Sequence, residues 1–248
     1  MRRAPPYPRR TGQPGTYSRA WFDTFAAKVP ASLTAAEVEG ITRWAPPDRY
    51  RDLIDVGCGN GRVTGHLMRC GYRATGIDVS VGALRAAKAA APGARYLALD
   101  QRHIGRLPWR FDVAVVLWSS FGFGSRSTDA QTLEGVHQAL RPGGRLLLDL
   151  YHPDWLAANQ QDQVTDERGA VIDRWLADGR LFHRIRYRDG AVDEIDFNVY
   201  RPGEIEELLR RAGFDVAAVL VWWKEDLAAS AEFARYQVVA ERPGRTGG

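Results

Sequence analysis

Three aspartates close successive short apolar stretches: Asp55 in Leu53-Ile54-Asp55-Val56, Asp78 after Gly76-Ile77, and Asp100 after Leu97-Ala98-Leu99. Behind the first comes Gly57-Cys58-Gly59-Asn60-Gly61, a turn whose missing side chains let a ligand reach the backbone and meet the free amides of a following helix. An aspartate about twenty residues beyond such a turn is positioned to accept hydrogen bonds from a ribose diol. Three aspartates along one edge of a sheet, beside its topological switch point, make a cleft for a nucleoside. A nicotinamide dinucleotide fits poorly. Position 62 is arginine where the dinucleotide turn has its last glycine, and the Asp55 carboxylate would repel a pyrophosphate. The ligand indicated is cationic and free of phosphate.

These residues need a sheet to carry them. Apolar runs at 53–56, 75–79, 96–99, 113–118 and 146–150 alternate with helix-like segments near 62–70, 81–91 and 128–140, the pattern of a parallel sheet covered on both faces. Only 101–111, with Pro108, joins the third strand to the fourth, so that crossover is short. Ahead of the sheet, Trp21, Phe22, Phe25, Val29, Val38, Ile41 and Trp44 recur at helical spacing, Pro30 divides two helices, and Pro46-Pro47 ends the second. After it the rhythm changes to alternation over 170–177, 181–188 and 191–200, with turns at Asp178-Gly179 and Asp189-Gly190. The sequence therefore predicts an inserted antiparallel flap, then a helix over 204–212 ended by Gly213 and two strands over 216–223 and 235–240. Residues 1–16 and 243–248 read as disordered tails. Between them lies one domain over 17–242: a helical preface (17–47), a ligand-binding core (51–151), the flap (164–201) and a closing unit (202–242).

A chain of 248 residues with 45% apolar and 26% charged composition has enough material for a real core. Its net charge of +4 is more than accounted for by Arg2, Arg3, Arg9 and Arg10 and the residues beyond Ala240, so no basic folded face is expected and no nucleic-acid partner. No apolar run reaches the length of a membrane span or a signal peptide, and the reading is cytoplasmic, away from membranes. Cys58 and Cys70 are expected as reduced thiols, and no metal-ligand spacing is seen.

The segment Asp55 to Gly61, the acidic end of Gly76-Ile77-Asp78-Val79-Ser80, Asp100, and Leu140-Arg141-Pro142-Gly143-Gly144 together resemble the motifs of class I S-adenosylmethionine-dependent methyltransferases, over residues 17–242. The resemblance implies an α/β fold: a Rossmann-like seven-stranded sheet with its last strand antiparallel, helices on both faces, an N-terminal helical lid and the flap. It implies S-adenosyl-L-methionine as cofactor and S-adenosyl-L-homocysteine as product. Gly57, Gly59 and Gly61 would line the methionine and ribose part, Asp78 and its neighbour Val79 the ribose, and Asp100 with Gln101 the adenine. Asp55 would orient the methionine amino end, and Trp118 and Ser119 would border the methyl group. More narrowly, Trp118-Ser119-Ser120-Phe121-Gly122-Phe123, the preface Tyr17-Ser18-Arg19-Ala20-Trp21-Phe22 and the flap resemble small-molecule members, among them amino-sugar N-methyltransferases of natural-product pathways. Some of those carry a histidine where this chain has Phe123.

Methyl transfer from a sulfonium asks for alignment and exclusion of water. An amine acceptor needs only a free lone pair, whereas an alcohol, phenol or carbon acid asks for a base or a metal. The expectation is metal-free transfer to a nitrogen or oxygen of a small metabolite. A nucleic-acid or protein methyltransferase is the alternative, although no Asn-Pro-Pro-Tyr-like motif follows the fourth strand; a non-catalytic S-adenosylmethionine-binding protein is a third reading. His152, after the fifth strand, is the foremost base. His103, just beyond Asp100, reads as a structural or cofactor-edge residue and His137 as a solvated helix residue, while His66 and His183 show no partner in the sequence. Tyr17, at the start of the preface helix, is the second catalytic expectation, and Trp21 with Phe22 would form an aromatic lid over the sulfonium. One flap face is expected to look towards substrate, leaving the other for packing or a homodimer.

Overall fold

The computed structural model describes residues 17–25, 28–118, 120–159, 164–167 and 169–244. The tail expected over 1–16 lies outside them, as do residues 245–248 of the second.

The five apolar runs form β1 (Asp52–Val56), β2 (Arg73–Asp78), β3 (Arg95–Ala98), β4 (Phe111–Val116) and β5 (Leu140–Tyr151). With β10 (Asp215–Leu220) and β11 (Arg235–Glu241) they make a seven-stranded sheet in the order β10-β11-β5-β4-β1-β2-β3. β1 to β5 pair in parallel, and β11 runs antiparallel to both neighbours. This is the Rossmann-like class I methyltransferase arrangement. Strand order reverses between β1 and β4, which opens a crevice at their carboxyl ends.

Helices cover both faces because alternate strand residues are apolar on both sides. Ile54, Val56, Ala114, Val116, Leu146 and Leu148 pack with α5 (Arg126–Ala139) and α7 (Pro202–Arg211) on one face. Leu53, Val113, Val115 and Leu147 pack with α2 (Ala31–Trp44) and α3 (Arg62–Arg69) on the other. Polar residues mark the helix starts. Ser80 caps α4 (Val81–Ala90) by accepting from the Ala83 N–H, and Ser125 caps α5 by accepting from Thr128. The short crossover after β3 is a 3-10 helix, Gln101–Arg106.

The flap is a separate antiparallel sheet of β6 (Val164–Thr165), β7 (Val171–Ala177), β8 (Arg180–Arg186) and β9 (Val192–Asn198). Asp178 and Gly179 both take positive φ, 50° and 70°, as a tight hairpin with the right-handed twist requires. Leu181, Ile195 and Phe197 turn one face onto α6 (Pro153–Ala158), Tyr151, Phe123 and Tyr17. Ile185 and Tyr187 meet α1 (Arg19–Thr24) through Ala20 and Trp21. α6 and β6 are absent from the sequence reading, and β10 stops at Leu220 rather than Trp223 because Trp222 and Trp223 take positive φ, 54° and 62°, in a turn closed by a Val221–Lys224 bridge. No helix among the described residues is long and apolar enough to cross a membrane.

Candidate active site

The crevice is a cavity of about 650 Å³ lined by the glycine turn, the ends of β2 to β4, α1 and the flap. The turn is strapped to the sheet by the Gly57 and Cys58 amides, which donate to the Ile77 carbonyl at 2.8 and 3.0 Å. Gly59, at φ 54°, has no room for a side chain: a Cβ would lie 2.9 Å from the Phe22 ring. Gly57 and Gly59 line the cavity. Gly61 does not. It starts α3 at φ 75°, and a Cβ there would meet Ala87 at 2.7 Å, so this glycine serves the packing of α3 on α4.

The four carboxylates of the cavity differ in their surroundings. Asp55 is 3% exposed and accepts from the Thr64 hydroxyl at 2.5 Å. Burial pushes its pKa up to about 6, although Thr64 and the Arg62 charge pull the other way. Asp78 accepts from the Gly59 amide through one oxygen and the Ser80 amide through the other, both at 2.8 Å; burial outweighs these bonds and raises its pKa. Asp100 is clasped by Arg102, whose Nε donates to both oxygens at 2.9 Å and holds the carboxyl below its ordinary range. Beside it, Gln101 lines the cavity, and its Oε1 is buried with no hydrogen-bond partner. Val79 also lines the cavity. The fourth carboxylate, Asp196, comes from the flap.

Trp118 leaves β4 with φ 58°, a conformation that costs a non-glycine residue about 1–3 kcal/mol and persists only where surroundings over-determine it. Its N–H donates to Asp149 at 3.2 Å and its carbonyl accepts from Arg235 at 2.8 Å. Its indole N–H donates to Glu37, and the Arg62 guanidinium lies 5.1 Å from its ring. Arg62 itself is tied to Glu37 at 2.6 Å. Ser119 lies outside the described residues; Ser120 lines the cavity and donates to the Gly57 carbonyl at 3.1 Å.

Tyr17 and Trp21 line the cavity with ring centroids 4.1 Å apart, and Phe22 meets Trp21 edge-on at 5.1 Å. Their helix is fixed to the flap by Ser18, whose hydroxyl donates to the buried Asp193 at 2.8 Å, as does the Tyr187 hydroxyl. His152 is not brought to the cavity. Its N–H donates to the Ala234 carbonyl, and its ring is buried edge-on against Tyr236 at 5.8 Å, where burial lowers its pKa. His183 is likewise buried in the flap, its pKa pushed down to about 3. Sequence reasoning missed Arg180, Asp196, Thr128 and Arg62 as lining residues; the one available signal was that Arg180 directly follows the Asp178-Gly179 turn. Among the described residues no group of three or more His, Cys, Asp or Glu is arranged to hold a metal ion.

Residues 53–144 match the family described as methyltransferase domain. The YqeM protein of Bacillus subtilis (strain 168) is 25% identical over 224 residues, 80% of this chain and 88% of that one. Among solved structures, the CcbJ methyltransferase from Streptomyces caelestis superposes with a TM-score of 0.74 at 14% identity, over 91% of this chain and 96% of its own. The sugar N-methyltransferase KedS8 from a Streptoalloteichus species does so with a TM-score of 0.70 at 17% identity, over 98% and 100%. Likeness at such identities is likeness of fold. The chain is thus similar to a methyltransferase domain over residues 53–144, set in a fold of the class I S-adenosylmethionine-dependent methyltransferase kind.

Proposed function

We propose that the protein transfers the methyl group to a nitrogen or oxygen of a small metabolite, by in-line displacement without a metal. The observation that carries this reading is the size and lining of the cleft. One cavity of about 650 Å³ is walled by the glycine turn on one side and by α1 and the flap on the other, within the ~300–1,000 Å³ usual for small-molecule sites. A nucleic-acid or protein substrate would want an open, charged track. The fold likeness to CcbJ and to the sugar N-methyltransferase KedS8, over 91% and 98% of this chain, supports the same direction.

The residues present fit the cofactor. When bound, it supplies an electrophilic methyl group on a sulfonium. In this reading Asp78 receives the ribose hydroxyls through the lone pairs left after its two backbone bonds. Gln101 Oε1, buried and unpartnered, accepts from the adenine amino group; Asp100, already clasped by Arg102, shapes that end. Asp55 faces the methionine ammonium, whose charge would offset the cost of ionising a buried carboxyl. Gly57 and Gly59 let the chain approach the ligand, with Val79 beside the ribose. Trp118 borders the reacting centre, while Tyr17, Trp21 and Phe22 exclude water from it. With His152 away from the cavity, alignment and desolvation are the main contributions of the protein.

Mass spectrometry of the purified protein incubated with S-adenosyl-L-methionine and a small-molecule extract of its host tests this. The expected result is S-adenosyl-L-homocysteine formed together with a metabolite heavier by one methylene. Turnover confined to added RNA or protein overturns the small-molecule reading.

A further inference from the structure

Resting on that methyl-transfer reading, a carboxylate of the flap that does not line the cavity takes part in retaining the cofactor. Tyr17, Trp21 and Phe22 line the cavity from α1 and its entry, yet nothing in the helix itself can hold them there. α1 has six residues, none of them buried, well short of the ~12–15 at which a helix becomes even marginally stable alone in water. Its seat is the flap. Ala20, Trp21 and Phe25 pack against Ala170, Ile185 and Tyr187. Ser18 bonds to Asp193, and Lys28, past the helix, donates to Asp166 between β6 and β7 at 3.4 Å. Towards the cofactor-binding core the helix offers Phe22, whose ring meets Gly59 of the glycine turn.

Asp193 lies on β9 opposite Ile185 of β8, within that seat, and is 9% exposed. One oxygen, Oδ2, accepts three hydrogen bonds: from the Ser18 hydroxyl at 2.8 Å, the Ser18 N–H at 3.4 Å and the Tyr187 hydroxyl at 2.8 Å. Burial and the Asp193 charge push the Tyr187 hydroxyl above its ordinary pKa, which keeps it a donor. These partners are all neutral, and two of the three bonds come from the entry to α1. Lifting the helix would leave a buried carboxylate with Tyr187 alone, a cost that favours the closed position. The Ser18 hydroxyl also accepts from the Trp21 N–H at 3.4 Å, so one side chain both starts the helix and fastens it.

We propose that Asp193 is a positioning residue that latches the aromatic lid over the bound cofactor, so that a flap carboxylate governs how fast S-adenosyl-L-homocysteine is released. Asp193 acts through Ser18 on Tyr17 and Trp21, and through those rings on the ligand. The lid thereby moves with the flap rather than with the seven-stranded sheet, and cofactor exchange requires the Ser18–Asp193 bond to break.

The test is the release rate of S-adenosyl-L-homocysteine from full-length protein, followed by stopped-flow tryptophan fluorescence, with calorimetry to establish binding. Ser18→Ala is expected to speed release about tenfold or more, the worth of one hydrogen bond to a charged group. Asp193→Ala is expected to do the same, and the double variant to release no faster than Asp193→Ala alone, because both changes break one bond. Asp193→Asn, which keeps an oxygen for the Ser18 hydroxyl, is expected to return release to within about threefold of wild type, the worth of a neutral hydrogen bond in place of a charged one. Tyr187→Phe, which takes a bond from the same carboxylate but none from the lid, is expected to stay within about twofold. Wild-type release from Ser18→Ala, equal acceleration by Tyr187→Phe, or additive effects in the double variant would overturn the proposal, and the first two do so whether or not Asp193→Ala folds. Failure of the wild-type protein to bind S-adenosyl-L-homocysteine at all would instead count against the methyl-transfer reading.

Discussion

Replacing Asp55 with asparagine should stabilise the ligand-free protein near neutral pH and weaken its hold on the cofactor. The carboxyl is raised from 3.8 to about 6, chiefly by burial, with Arg62 and the Thr64 hydroxyl opposing that shift and Asp78 and Glu37 adding to it. A group raised on folding contributes stability that is complete below its unfolded value and is lost as pH climbs through its folded value. The gap of about two units, at ~1.36 kcal/mol each, sets the loss at about 3 kcal/mol, complete a little above pH 6. Asparagine keeps an oxygen for the Thr64 hydroxyl and has no such titration. Relative to Asp55→Asn, the wild type should therefore lose about 3 kcal/mol between pH 4 and 6.5, or roughly 6–12 °C in Tm for a chain of this size. Binding should show the complementary signature. A cofactor ammonium favours the ionised carboxylate, so wild-type affinity for S-adenosyl-L-homocysteine should fall up to about tenfold per unit below pH 6 and stay level above it. The variant should bind about 10–150-fold more weakly at pH 8, the worth of one hydrogen bond to a charged group at ~1.5–3 kcal/mol, and without the step near pH 6 that Asp55 contributes. Urea unfolding and calorimetry at half-unit pH steps read both effects. Parallel stability curves for the two proteins from pH 4 to 7, or a flat wild-type binding profile, would refute the reasoning.

Asp78→Ala should raise the Kd for S-adenosyl-L-homocysteine at least tenfold by calorimetry while far-ultraviolet circular dichroism stays native, since at ~1.5–3 kcal/mol per charged hydrogen bond even one lost ribose contact suffices. Gly59→Ala should cost about 1–2 kcal/mol in urea unfolding, because φ 54° is unfavourable for alanine and its Cβ would press on Phe22 at 2.9 Å. Gln101→Leu should leave or raise Tm, as it removes a buried acceptor with no partner, yet weaken S-adenosyl-L-homocysteine binding about 2–12-fold; the hypoxanthine analogue should be bound equally by both proteins.

The glycine turn, Asp78 and the Asp100-Gln101 pair were legible because local grammar fixes them. An apolar strand, a turn and a helix start place those side chains at the carboxyl edge with little help from the rest of the chain. Other features depended on partners remote in sequence. Trp118 was identifiable as the residue leaving β4, but its left-handed backbone follows from Asp149 and Arg235, residues of strands that pair only in the folded sheet. His152 was misplaced for the same reason: β11 lies beside β5, Ala234 just ahead of it takes the His152 N–H, and the ring packs edge-on against Tyr236. α6 is a six-residue helix, too short for periodicity to register, and Pro153 at its first position was its only signal. In the flap, alternation gave the strands, but which face met the cleft was set by the apolar contacts of Leu181, Ile195 and Phe197 with Leu156, Phe123 and Tyr151.

Trp118 also shows where the fold commits its rigidity. Its contacts come from four elements: Glu37 on α2, Arg62 on α3, Asp149 on β5 and Arg235 on β11. The Asp149–Arg235 pair, at 2.6 Å, is mostly buried. Removing one partner of a buried pair costs about 3–5 kcal/mol, whereas the pair as a whole contributes little net stability. Its value here lies in direction: one carboxylate oxygen and one guanidinium arm fix the N–H and C=O of the same strained residue. A reaction that depends on alignment rather than on an acid or base gains most from such fixing, since an error of about 1 Å can cost two orders of magnitude in rate. The cavity wall at the end of β4 is therefore held by polar bonds with defined geometry, where apolar packing alone would tolerate sliding.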